Sequence, residues 1–94
     1  MAVGILTLHI SITDCHSLKQ KRGRIQPVLA RLHREFNVAA AETGLQDRRD
    51  EAVLQCAALS TSGGEVQAFL QKVVDFYGDT WPEMEILQYR IECV

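Results

Sequence analysis

The chain has 94 residues, 47 % of them hydrophobic and 23 % charged, with a formal net charge of −2, the composition of an ordinary globular protein. Such a length predicts one domain, residues 1–94, that buries roughly 60–68 % of its unfolded surface. A near-neutral total makes no global argument for nucleic acid, and no stretch approaches the ~18 apolar residues of a membrane span. The three widely spaced cysteines, without a Cys-x-x-Cys, speak against a disulfide framework or zinc finger and for a reducing, cytoplasmic setting.

Residues 3–12 alternate, with Leu6, Leu8, Ile10 and Ile12 on one side and Ile5, Thr7, His9 and Ser11 on the other. This period predicts a half-buried strand rather than a signal peptide, and the polar string Thr13–His16 ends it. Ser17 and Gln20 form a capping box for a first helix. Leu18, Ile25, Val28, Leu29, Leu32 and Phe36 then lay down an apolar stripe. Pro27 removes a backbone donor and crowds the carbonyl of residue 23. Because residue 23 is glycine, the pattern predicts one helix with a bend on its solvent side, two shorter helices being the alternative.

Asn37 closes this helix. Val38–Glu42 reads as a short strand, Gly44–Asp50 as a polar loop and Glu51–Leu59 as a third strand, paired with the second in a hairpin. Ser62-Gly63-Gly64-Glu65 is a second capping box, followed by the apolar face Val66, Phe69, Leu70, Val73, Phe76 and Tyr77. Gly78 is expected to close this second helix. Met84–Val94 is the last strand, with Leu87, Tyr89, Ile91 and Cys93 on one face and Ile86, Gln88, Arg90 and Glu92 on the other. Strand, helix, strand, strand, helix, strand, joined by right-handed crossovers, predicts an α+β fold. Specifically, it predicts the ferredoxin-like βαββαβ plait: a four-stranded antiparallel sheet with two helices on one face.

The charge is distributed unevenly. Cys15–Phe36 holds six of the ten Lys/Arg residues and one acid, Glu35, a local charge of +5; the rest carries four bases and eleven acids, or −7. Lys19, Lys21, Arg22 and Arg24 fall in the first two turns of the first helix, where free N–H groups and the helix dipole already favour anions. These four are the candidate phosphate contacts, giving affinity without sequence specificity and a steep loss with salt. Lys21 and Arg22 lie near the apolar stripe, so their stems either cover the edge of the core or face a cleft.

Four runs, HSLKQKR (His16–Arg22), EFNVAAAE (Glu35–Glu42), Gln46-Asp47 and KVVDF (Lys72–Phe76), resemble the YlxP-like family of small bacterial proteins of uncharacterised function. The resemblance covers most of the chain and implies the same plait. It also implies genes that sit beside those of translation and ribosome-maturation factors, and it supplies no activity and no catalytic residues. One departure is that Arg48, Arg49, Asp50 and Glu51 stand where the family pattern tends to have an aromatic and a basic residue.

The remaining candidates are weak. Asp14, Cys15 and His16 are sequence neighbours without metal-ligand spacing. Cys15 has no base partner, and Ser60–Gly64 matches neither a P-loop nor a dinucleotide fingerprint. The presumed open sheet face (Ile5, Thr7, His9, Val53, Gln55, Ala57, Leu59, Ile86) has no aromatic platform of the kind that stacks single-stranded RNA, and its apolar part suits a second subunit. The resemblance supplies the setting and the charge asymmetry the phosphate contacts: together they imply a non-enzymatic accessory protein of translation or ribosome maturation, without metal or cofactor, whose partner is ribosomal RNA or a ribosomal subunit. A homodimeric protein-interaction module is the alternative, and a small-ligand sensor is a third.

Overall fold

The computed structural model describes residues 1–94. Its elements are β1 (Ala2–Ser11), α1 (Leu18–Phe36), β2 (Ala39–Gly44), β3 (Glu51–Ser60), α2 (Gly63–Thr80) and β4 (Ile86–Cys93). The sheet order is β2-β3-β1-β4 and every pairing is antiparallel. This is the βαββαβ plait that the periodicities predict.

The even positions of β1 set the inner face. Leu6, Leu8 and Ile10 stand opposite Cys56, Leu54 and Ala52 of β3, and all six are buried. Ile25, Val28, Leu29 and Leu32 of α1 and Val66, Leu70, Val73, Val74 and Tyr77 of α2 complete one core, where each fully buried Leu or Ile contributes about 1.5–3 kcal/mol. Gly4 marks the closest approach of α2 to the sheet: a Cβ there would lie 2.8 Å from both Leu70 and Val66. Against this core, Phe36, Phe69, Phe76 and Trp81 continue from the buried Tyr77 as an aromatic chain between the helices, with ring centroids 5.1–6.0 Å apart. Only Tyr89 among the six aromatics stands elsewhere.

Local signals act much as their chemistry requires. Ser17 Oγ accepts the Gln20 N–H at 3.0 Å, and Gln20 Oε1 accepts the N–H of His16, one residue before the cap, at 2.7 Å. α1 is one helix through Gly23 and Pro27. Asn37 ends it in the left-handed conformation (φ 52°) and donates to the His33 carbonyl.

Three expectations change. Gly78 does not close α2, which runs on to Thr80. No glycine here has positive φ, so Gly78 stays helical, and the end is set by the Trp81 N–H on the Tyr77 carbonyl and the Tyr77 hydroxyl on the Met84 carbonyl (2.8 Å). The second capping box is one-sided. Ser62 Oγ accepts the Glu65 N–H, but the Glu65 carboxylate accepts the hydroxyls of Ser60 and Thr61, which hold its carboxyl below the usual range. Finally, Ile86 belongs to the inner face. The β1–β4 register shifts between His9 and Ile10, so Ile86 pairs with Ile10 and packs on the core, while Leu87 is 49 % exposed. An irregularity of this kind reverses the alternation beyond it.

Candidate nucleic-acid interface

The start of α1 is an electropositive end by construction. Its first turn contains no acid, and the free N–H groups there add to the charge of the side chains. Lys19 and Arg22 are exposed and take no anionic partner. Arg24 is half-buried, its Nη1 donating to the Thr13 carbonyl at 2.5 Å, which ties the β1–α1 connection to the helix. Farther along, Arg31 pairs with Glu35 at 3.0 Å and lies over the Phe76 ring, while Arg34 sits exposed in the last turn.

Lys21 departs from this group. It is 1 % exposed and continues the stripe Ile25, Val28, Leu32 inward, at the helical spacing of four, three and four residues. Leu18, assigned to that stripe from spacing, is instead 37 % exposed. The Lys21 ammonium donates to the Leu45 carbonyl at 2.8 Å and stands 2.7 Å from Glu42 Oε2. Of the two cleft-or-stem alternatives for Lys21 and Arg22, neither holds for both residues: Lys21 turns in and Arg22 turns out.

The Lys21–Glu42 contact is an ion pair rather than a well-aligned hydrogen bond. Glu42 Oε2 is buried and accepts no hydrogen bond of good geometry, although the ammonium lies beside it. The Glu42 side chain is 14 % exposed, so both charges have lost most of their water. Desolvation at such a site offsets much of the Coulomb attraction.

The β2–β3 connection completes the arrangement. Leu45 is left-handed (φ 55°), an unfavourable conformation for a residue with a branched side chain, and its carbonyl is the one that Lys21 holds. Gln46 Nε2 donates back to the Glu42 carbonyl at 3.2 Å. Arg48 is neutralised by Asp50 and Glu51 at 2.9–3.0 Å, which keeps the Asp50 carboxyl below its ordinary range. Arg49 differs: Nη1 donates to the His16 carbonyl at 3.1 Å, so its exposed guanidinium stands beside the helix start; it makes no ion pair, although its charge helps to hold the nearby Asp50 carboxyl low. Cys15, Leu18, Arg48, Arg49, Asp47 and Asp50 line a hollow of about 550 Å³. Two acids among those residues make it charge-balanced, so the positive surface lies at its rim and beyond, on Arg49 and on Lys19 and Arg22.

Counting charge along the chain places Arg49 in the acidic remainder, and no local signal marks it. The runs that carry the family resemblance do mark the place. Lys21 comes from the first, Glu42 from the second and Gln46 from the third, and the three are joined within one cluster of contacts.

No group of three or more His, Cys, Asp and Glu side chains stands together as a metal site, and no helix is long and apolar enough to cross a membrane. Cys15 Sγ lies 3.5 Å from the Ser17 carbonyl, and burial pushes the Cys56 thiol up to about 11. On the open face of the sheet, His9 pairs with Glu51, and Gln55 donates to the Thr7 hydroxyl.

Comparison with known proteins gives a consistent result. The family model described as "Protein of unknown function (DUF503)" matches residues 3–91. A Bacillus subtilis (strain 168) protein described as "Uncharacterized protein YlxP" is 35 % identical over 90 residues, covering 96 % of this chain and 97 % of its own.

Proposed function

The chain belongs to the DUF503 family of proteins of unknown function, and for it we propose the role of a non-enzymatic accessory protein of translation or ribosome maturation that contacts RNA phosphates through the start of α1. The observation that carries this reading is the pair Lys19 and Arg22, exposed and free of carboxylates in the first turns of a helix whose dipole adds to their charge. Arg49 extends the same surface from the neighbouring loop. Contacts of this type are to backbone phosphate, which suits a structured RNA recognised by shape. The translation half of the proposal rests on the family resemblance and its gene neighbourhood.

The test is binding of ribosomal RNA and of isolated ribosomal subunits over a salt series, with wild type against Lys19→Glu/Arg22→Glu. Lys21 is left out of the variant because a glutamate there would be buried against Glu42. We expect wild-type affinity to fall steeply as salt rises and the variant to lose most of it. Affinity that changes with neither salt nor substitution would refute the reading.

A second reading, the homodimeric interaction module, is favoured by the open face, where Leu59 is 67 % exposed. Ile5, Ala39, Ala41 and Ala57 line a shallow apolar depression on the same face. Light scattering after size exclusion decides it: the mass of a single 10.6 kDa chain at high protein concentration would rule it out.

A further inference from the structure

A lysine and a glutamate buried together are a poor way to stabilise a small core, since well-packed apolar residues often serve as well or better. Their contacts suggest a different use. The buried ammonium does not stop at Glu42; it reaches the carbonyl of Leu45, the one residue of the β2–β3 connection with a left-handed backbone. Left to itself, a leucine there would relax toward a commoner conformation. That would swing the four residues after it, Arg49 among them, away from the start of α1.

We infer that Lys21, Glu42 and the Leu45 carbonyl form a latch that holds the β2–β3 loop in register with α1, and that the purpose of the latch is to place Arg49 beside Lys19 and Arg22 on one phosphate-binding surface. The inference rests on the RNA reading for its second half only; the latch itself stands on the contacts. Three ties support it. Lys21 fixes the first residue of the loop, Gln46 returns to the strand at Glu42, and Arg49 closes on the His16 carbonyl. The ion pair belongs to the inner side of the sheet, where α1 passes over β2, so it cannot touch RNA; Lys21 and Glu42 are positioning residues that act through Arg49.

The experiment uses the full chain as Lys21→Met/Glu42→Leu, which replaces both charges with apolar side chains, alongside Arg49→Ala, an exposed substitution. Two readouts are taken. Hydrogen exchange compares the Arg48 amide, which donates to the same Leu45 carbonyl at 3.0 Å, with those of Leu6 and Leu54 in the core. In the paired variant the Arg48 amide is expected to exchange at least tenfold faster, with the core amides unchanged; an Arg48 amide at the wild-type rate would overturn the latch, whether or not RNA binds. The second readout is the slope of log K against log salt for ribosomal RNA. Each phosphate contact contributes about 0.7–0.9 to that slope. Arg49→Ala and the paired variant are each expected to lower it by about one contact, and combining them by no more than one. A merely structural role for the pair would weaken binding without changing the slope, and slopes that add in the combined variant would also overturn the assignment. If the paired variant does not fold, an unchanged slope in Arg49→Ala is enough to refute the shared surface.

Discussion

Removing Lys21 alone tests whether its ammonium and the Glu42 carboxylate are held out of water. In Lys21→Met the buried stem nearly keeps its length, and it is chiefly the ammonium that is lost. The attraction removed is roughly 6 kcal/mol before desolvation is counted, taking two unit charges 2.7 Å apart in an effective dielectric of 20. Desolvation of the pair offsets part of that, but in the variant the Glu42 carboxylate remains in place, 14 % exposed, with no cation beside it. The net cost expected for leaving one buried partner uncompensated is about 3–5 kcal/mol. A chain of this size has about 5–14 kcal/mol of total stability, so the variant loses roughly a fifth or more of it. Urea unfolding followed by far-ultraviolet circular dichroism reads this directly, and with a slope of about 2 kcal/mol per molar the midpoint should drop by about 2 M. Adding Glu42→Leu should recover most of the loss, because the orphaned charge goes with it. A midpoint within about 0.3 M of wild type for Lys21→Met alone would refute the reasoning, since it would mean that the pair is not held out of water. A paired variant as unstable as the single one would refute it too.

Other perturbations probe separate parts of the fold. Gly4→Ala inserts a methyl group into a space where Leu70 and Val66 already stand 2.8 Å away; overpacking of this kind should cost about 1–3 kcal/mol, visible as a lower thermal midpoint without loss of helix signal. Tyr77→Phe removes the hydroxyl that satisfies the Met84 carbonyl at 2.8 Å. It should cost about 1–2 kcal/mol and loosen the α2–β4 connection first, seen as faster exchange of the Met84 amide. Glu65 has its pKa lowered from 4.5, first by the Thr61 hydroxyl and then by that of Ser60. A depressed carboxylate adds stability above its unfolded value and gives it up as pH falls through the folded one. Glu65→Gln should therefore be less stable than wild type near neutral pH, and the gap should close below pH about 4.5; a gap that stays constant down to pH 3 would dismiss this role.

How far the chain discloses its own structure can be followed residue by residue. The plait is legible because its elements are announced locally: alternation in β1, two serine caps, and apolar faces at helical spacing. These signals depend on neighbours a few residues apart, and they hold at the level of the element, although Lys21 takes the inward place read for Leu18. Gly78 and Ile86 mislead for the same reason. A glycine near a helix end and an unbroken alternation are good local arguments, but Tyr77, Trp81 and Met84 set where α2 stops, and a register shift against β1 sets which way Ile86 points.

The basic end shows the division most clearly. The chain by itself determines that α1 begins with a cluster of cations and no acid, because charge and helix polarity are properties of consecutive residues. It does not determine which of those cations meets the solvent. Lys21 and Arg22 are adjacent and chemically alike, yet one is buried and the other exposed, since about 100° of helical turn separates them and β2 covers only one side. Nor could it bring Arg49, read as part of an acidic remainder, to the helix start; that takes the antiparallel return of β2 and β3 and a carbonyl at Leu45 placed within reach of a buried ammonium. Burial and long-range pairing are decided by what the sheet brings together, and here they turn four candidate phosphate contacts into two on the surface, one tied to a backbone carbonyl and one sealed in the core.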